Sequence, residues 1–228
     1  AGTGVVSMTV APVGAFDVPA LLRQLDRYPY GCSEQIVSRA MPLLYVNRLA
    51  REEQLGLDEA VDKRIRDAVE KVLTRQDSTG SFGLWSVGGD DVWLDAFVTD
   101  FLTRAREKGF EVPKVAFDQA LDRLRNYLAN APDPAPASAS KIAYAAYVLA
   151  RNGRPVIGDL RYLADTKLSL FDKPLARAQL GAALAMLGDR GRAEPIFVSA
   201  MERLAETRQD AAYRADYGTT LRDGAGII

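Results

Sequence analysis

Apolar residues recur three and four positions apart along most of this chain, the spacing that lines one face of an α-helix and leaves charged residues on the other. With the punctuation supplied by glycine, proline and aspartate, the pattern predicts helices over 18–27, 33–50, 58–75, 92–108, 114–129, 138–152, 157–164, 174–187 and 190–207. A short β-branched run at 5–10 reads instead as an extended segment that turns at Pro12 to Gly14. The expected fold is all-α over 15–228, with 1–14 a linker or the edge of a neighbouring domain.

Two stretches break the helical pattern. Residues 77–91 are rich in glycine and serine and long for a connection, and Phe82, Leu84 and Trp85 are expected to pack them as a hairpin or a wrapped loop. Pro132, Pro134 and Pro136 form a stiff connector, since the residue before each proline is pushed out of helical geometry. Ala143, Ala146 and Ala150 share one helix face, and Ala178, Gly181, Ala182 and Ala185 another, so these helices can approach closely. Hairpins packed side by side give a solenoid or a closed ring, and periodicity does not choose between them.

Composition narrows the function classes. A chain of 228 residues, 48% of them hydrophobic, can bury the core of one large domain. Thirty acidic against twenty-nine basic residues leave too weak a field to draw nucleic acid or an anionic membrane. No run approaches the roughly 18 apolar residues of a membrane span, and the N-terminus lacks a secretory pattern. The chain opens at Ala1-Gly2-Thr3-Gly4 and stops at Gly226-Ile227-Ile228 as though entering a helix, so it is expected to be a piece of a larger protein. The absence of histidine excludes Ser-His-Asp, Cys-His and H-E-x-x-H sites within the chain, and no metal or cofactor site is expected. A single cysteine excludes an internal disulfide.

That cysteine sits in Tyr28-Pro29-Tyr30-Gly31-Cys32-Ser33-Glu34-Gln35, where a turn gives way to a helix. Unpaired N–H groups and the positive end of the helix dipole stabilise a negatively charged sulfur there, which favours Cys32 as a nucleophile. Gln35, three residues on, lies on the same side of the first turn, so its side-chain carbonyl can approach the sulfur. Attack on the carboxamide with loss of ammonia would yield an internal thioester, with proximity replacing a second reactant. Glu34 can assist proton movement or simply favour the helix start. A lone cysteine is more often a small buried apolar residue, and Cys-x-Glu-Gln by itself does not overturn that reading.

The longer run does. Tyr-Pro-Tyr-Gly-Cys-Ser-Glu-Gln, continued by Ser38-Arg39-Ala40-Met41-Pro42-Leu43-Leu44-Tyr45, resembles the thioester region of bacterial alpha-2-macroglobulins, whose defining motif is Gly-Cys-x-Glu-Gln. Weaker similarity lies before this run at Asp17 to Leu22 and after it, in order, at Gly80 to Trp85, Val92 to Val98, Ala143 to Ala150 and Asp216 to Asp223. The resemblance implies an alpha/alpha toroid of helical hairpins, incomplete or differently closed because the family's ring has more helices than this chain supplies. It also implies a single-use protease trap rather than an enzyme: a protease cuts the parent and the exposed thioester acylates a lysine of the attacker. Tyr28, Tyr30, Trp85 and Trp93 are candidates for an aromatic screen that keeps water from the bond, though each also suits ordinary packing. The expected partners are attacking proteases and other domains of the parent, which the resemblance places in the periplasm, anchored to a membrane that this domain does not itself touch.

Two other functions fit the same helices. A helical-toroid enzyme would use carboxylates, with Asp90, Asp91 and Asp95 the candidates, although acids beside glycine turns more often cap the following helix. A non-covalent helical interaction module would need only its small-residue faces.

Overall fold

The computed structural model describes residues 31–52, 60–130, 135–154, 156–206 and 218–228. Nine α-helices fall among them: α1 (Ser33–Glu52), α2 (Val61–Leu73), α3 (Val92–Glu107), α4 (Lys114–Asn130), α5 (Pro136–Arg151), α6 (Ile157–Thr166), α7 (Pro174–Met186), α8 (Arg190–Glu206) and α9 (Thr220–Ile227). A 3-10 turn at Leu168–Leu170 joins α6 to α7. The expected extended run at 5–10, the linker 1–14, the helix over 18–27, Tyr28, Tyr30, Pro132 and Pro134 lie outside the described residues.

Sequence explains most of the helix starts. Pro136 and Pro174 occupy first helical positions, where the missing N–H costs nothing. Asp91 caps α3, its carboxylate accepting from the Trp93 amide at 3.0 Å. In α2 the buried residues Val61, Ile65, Ala68, Val69 and Val72 follow the helical period. The pattern gave only the start of a helix at the chain's end, where α9 lies. Gly224 and Gly226 weaken its propensity, but Thr219 caps it by accepting from the Arg222 amide at 3.1 Å, and it packs on α7 and α8.

Alternate helices pack on one another. The neighbours run α1 to α3, α3 to α5, α5 to α7 and α7 to α9, while α2, α4 and α8 pack against this inner series from outside. Inner helices should be buried nearly all round, and twelve of the sixteen residues of α3 are. Its buried Thr99 and Thr103 satisfy their hydroxyls on the carbonyls of Asp95 and Thr99. Helix α5 divides the core in two. Tyr144, Ala145, Val148 and Leu149 join the cluster formed with α1 to α4, whereas Ala139, Ile142, Ala143, Ala146 and Ala150 join the cluster formed with α6, α7 and α8. The predicted small-residue face of α5 therefore lies where α7 approaches. Gly181 of α7 serves α8, since a Cβ there would sit 3.3 Å from the Phe197 ring.

No strand occurs among the described residues. The stretch between α2 and α3 forms one antiparallel bridge, Gln76 with Phe82, and otherwise wraps back on the end of α2. It is a wrapped loop, with Phe82 fully buried and Trp85 60% exposed.

Candidate functional site

Cys32 takes the position just before α1, and its carbonyl accepts the first intrahelical bond, from the Ile36 amide at 2.9 Å. The Gln35 side-chain oxygen accepts from the Cys32 amide at 3.4 Å. This is one half of a capping box, in which the third helical residue reaches back to the residue that opens the helix. The same local preference that starts α1 thus folds the carboxamide of Gln35 over the residue that carries the sulfur. Cys32, the single cysteine of the chain, is buried, 4% exposed. Glu34 accepts a 2.6 Å hydrogen bond from the Ser38 hydroxyl, one turn along the helix.

The turn is fixed from outside α1. Ser33, fully buried, donates its amide to the Leu84 carbonyl at 2.8 Å and its hydroxyl to the Gly83 carbonyl at 2.7 Å. Arg75, just beyond α2, reaches the same place. Its guanidinium donates to the Gly31 carbonyl at 2.6 Å, the Leu84 carbonyl at 3.0 Å and the Ser33 hydroxyl at 3.1 Å, while its own carbonyl accepts from the amides of Gly83 and Gly88. Neither Ser33 nor Arg75 stood out in the sequence. Both act through contacts between distant segments, and a serine at a helix start or an arginine at a helix end is locally unremarked.

The loop owes its glycines to close backbone approach. A Cβ on Gly83 would lie 1.9 Å from the Ser86 carbonyl oxygen and 2.4 Å from that of Gly88. Gly80 has φ +88° and would place a Cβ 2.1 Å from the Gln119 carbonyl oxygen of α4. The loop's other anchor is Asp95, whose carboxylate accepts from the Phe82 amide at 2.7 Å, the Ser81 hydroxyl at 3.1 Å and Arg123 at 3.1 Å. Burial pushes the Asp95 carboxyl above its ordinary value, against the pull of the Phe82 amide and Arg123.

The remaining candidates are placed as follows. Trp85 follows Leu84 on the loop, its ring largely in solvent. Trp93 is buried in α3, stacked on Phe97 at 5.0 Å between ring centres and tilted against Tyr144 at 6.1 Å. The three carboxylates proposed for a toroid enzyme each have a structural bond: Asp91 caps α3, Asp95 anchors the loop, and the exposed Asp90 pairs with Arg123 at 2.9 Å. Among the described residues no group of three or more Cys, Asp or Glu side chains is arranged to hold a metal ion.

The family model described as the A-macroglobulin TED domain matches residues 5–151, which include Cys32, Gln35 and the loop that packs on them. The chain belongs to the alpha-2-macroglobulin thioester-domain family. Alpha-2-macroglobulin of Escherichia coli K12 is 35% identical over 93% of this chain, which spans 13% of that protein. The native E. coli alpha-2-macroglobulin structure covers 91% of the chain with a TM-score of 0.80 at 32% identity, the chain matching 14% of it. A Salmonella alpha-2-macroglobulin reacted with methylamine covers 92% of the chain with a TM-score of 0.78 at 37% identity, again with 14% of that structure matched. The alternating helical layers are accordingly those of an alpha/alpha toroid.

Proposed function

We propose that Cys32 and Gln35 condense into an internal thioester, and that this domain is the acylating part of a covalent protease trap. The observation that carries the reading is the Gln35 carboxamide folded back on Cys32 by the 3.4 Å bond to its amide. In closure the Cys32 sulfur bonds to the Gln35 carboxamide carbon, the carbon–nitrogen bond breaks, and the thiol proton leaves with the nitrogen as ammonia. In trapping, a lysine amine attacks the same carbon, the carbon–sulfur bond breaks, and a proton from the amine returns to sulfur. Residue 35 then carries the prey by an amide bond and Cys32 is again a thiol. Each domain acts once, so it is not a catalyst.

Family membership supports the protease-directed role, and a Salmonella alpha-2-macroglobulin similar to this chain has been reacted with methylamine. With no histidine in the chain, this domain offers no imidazole to relay the acyl group to hydroxyls, and we propose that, with none supplied by another domain, the amine attacks directly. Trp85 and Trp93, with Tyr28 and Tyr30, remain our candidates for the screen against water, and other domains of the parent complete it. We place the parent in the periplasm, membrane-anchored, on family resemblance alone.

The test uses the native full-length parent. Its intact mass should be lighter than the encoded chain by one ammonia, methylamine should add its mass while freeing one thiol, and a protease should become attached through a linkage that survives denaturation. A parent of full encoded mass, or prey still attached covalently after Cys32→Ala or Gln35→Ala, would refute the proposal.

A further inference from the structure

Beyond the reacting pair, the geometry points to Arg75 as the positioning residue of this site: its guanidinium grips the chain on both sides of Cys32 and sets the direction in which the sulfur leaves the backbone. This rests on the thioester reading above.

Three acceptors meet the guanidinium. One is the carbonyl of Gly31, immediately before Cys32; one is the hydroxyl of Ser33, immediately after; the third is the carbonyl of Leu84. The Leu84 carbonyl is also the acceptor of the Ser33 amide. Fixing the residues on either side leaves Cys32 little freedom about its own backbone torsions, so the Cα–Cβ bond is aimed before Gln35 arrives. Gln35 is held to the same residue only by a long 3.4 Å bond, which by itself constrains the pair weakly.

Arginine suits the task for a chemical reason. A planar guanidinium presents five N–H donors in a fixed fork and stays charged at any working pH, whereas a lysine ammonium is a single point of charge on a flexible stem. Here one nitrogen serves Ser33 and Leu84 together and another serves Gly31. The backbone of Arg75 contributes as well: its carbonyl holds the amides of Gly83 and Gly88, which keeps Leu84 in place as the third acceptor. Intramolecular condensation depends steeply on such aim, since a misplacement of about 1 Å can cost on the order of 100-fold in rate.

The experiment compares Arg75→Lys and Arg75→Ala with the wild-type full-length parent. The fraction lacking one ammonia is read by intact mass, the rate of thiol release by methylamine, and the melting temperature by circular dichroism. Arg151→Lys serves as the control, because it disturbs an arginine–glutamate pair on the far part of α3 and α5. Both Arg75 variants should close the bond at least about 10-fold less completely or more slowly, on the steepness of the proximity effect. Low millimolar guanidinium ion, added during refolding, should restore part of the closure to Arg75→Ala, and the control should close as wild type does. Closure and methylamine rates within twofold of wild type in both Arg75 variants would overturn the assignment, as would a loss matched by the control and untouched by guanidinium. A wild-type parent that never loses ammonia would instead remove the thioester reading itself.

Discussion

The amide of Ser33 donates to the carbonyl of Leu84 at 2.8 Å, joining the first residue of α1 to the centre of the loop between α2 and α3. The turn that carries Cys32 is thereby part of a three-way junction: α1 supplies Cys32, Ser33 and Gln35, the end of α2 supplies Arg75, and the loop supplies Gly83 and Leu84. Asp95 of α3 holds the loop from behind through Phe82 and Ser81. Changes well away from the sulfur should therefore be felt at it.

Gly83→Ala should damage the junction without touching Cys32. The added Cβ would meet the Ser86 carbonyl oxygen at 1.9 Å, so the loop must shift. Overpacking of this kind costs roughly 1–3 kcal/mol, and for a domain of this size each kcal/mol lowers the melting temperature by about 2–4 °C. Thermal unfolding would measure the loss, and a melting temperature equal to wild type would contradict the clash.

Asp95→Ala should be among the more harmful single changes in the domain. It takes one of two carboxylate partners from Arg123, which keeps Asp90, and leaves the Phe82 amide without its buried acceptor, while the Ser81 hydroxyl keeps the Gly89 carbonyl. A buried donor left without a partner costs about 1–3 kcal/mol. Denaturant unfolding of Asp95→Ala beside Asp90→Ala makes the comparison, since the exposed Asp90 also pairs with Arg123 but should cost far less. Equal losses would argue that Asp95 is not the loop's anchor.

Acid should weaken the tie between α3 and α5 at Glu107. Its hydrogen bonds with Arg151 hold the Glu107 carboxyl below its ordinary value of 4.5. A group depressed in the folded state stabilises the fold above its unfolded value, and that contribution is lost as pH falls from 4.5 through the lower folded value. Glu107 is 43% exposed, so the effect is small after solvent screening. Burial raises Asp95, which acts in the opposite sense, so the reading is the difference between curves: Glu107→Gln should be less stable at neutral pH and should converge on wild type in acid. Parallel curves would show that the pair adds no pH-dependent stability.

Methylamine should be taken up in strong preference to glycerol by the intact parent. This domain has no histidine to carry the acyl group to a hydroxyl, and direct attack favours the better nucleophile. Competing labels, quantified by mass on the peptide containing residue 35, give the ratio. Equal incorporation would mean that a group elsewhere in the parent supplies the relay.

The helices were legible in the sequence because their signal is local. A repeat of three to four residues declares a buried face whatever that face packs on, and the predicted spans at 92–108, 114–129 and 174–187 differ from α3, α4 and α7 by a residue or less at either end. α9 was legible only as a helix start at the chain's end, because its glycines argue against a helix that the Thr219 cap and packing on α7 and α8 hold. The closeness of Cys32 and Gln35 was likewise a local matter, since one helical turn separates them and a capping preference brings the carboxamide back.

What surrounds that pair was decided by tertiary structure. Nothing near Arg75 in the chain indicates that it will grip Gly31, and nothing near Gly80 states that its hydrogen is there to admit the Gln119 carbonyl of α4. The sequence by itself determined an all-helical domain and a thiol beside a carboxamide, because both follow from spacings within a turn or two of helix. Only folding chose a ring over a solenoid and assembled the clamp around the sulfur, because hydrogen bonds between distant segments depend on which helices become neighbours, and no local pattern encodes that.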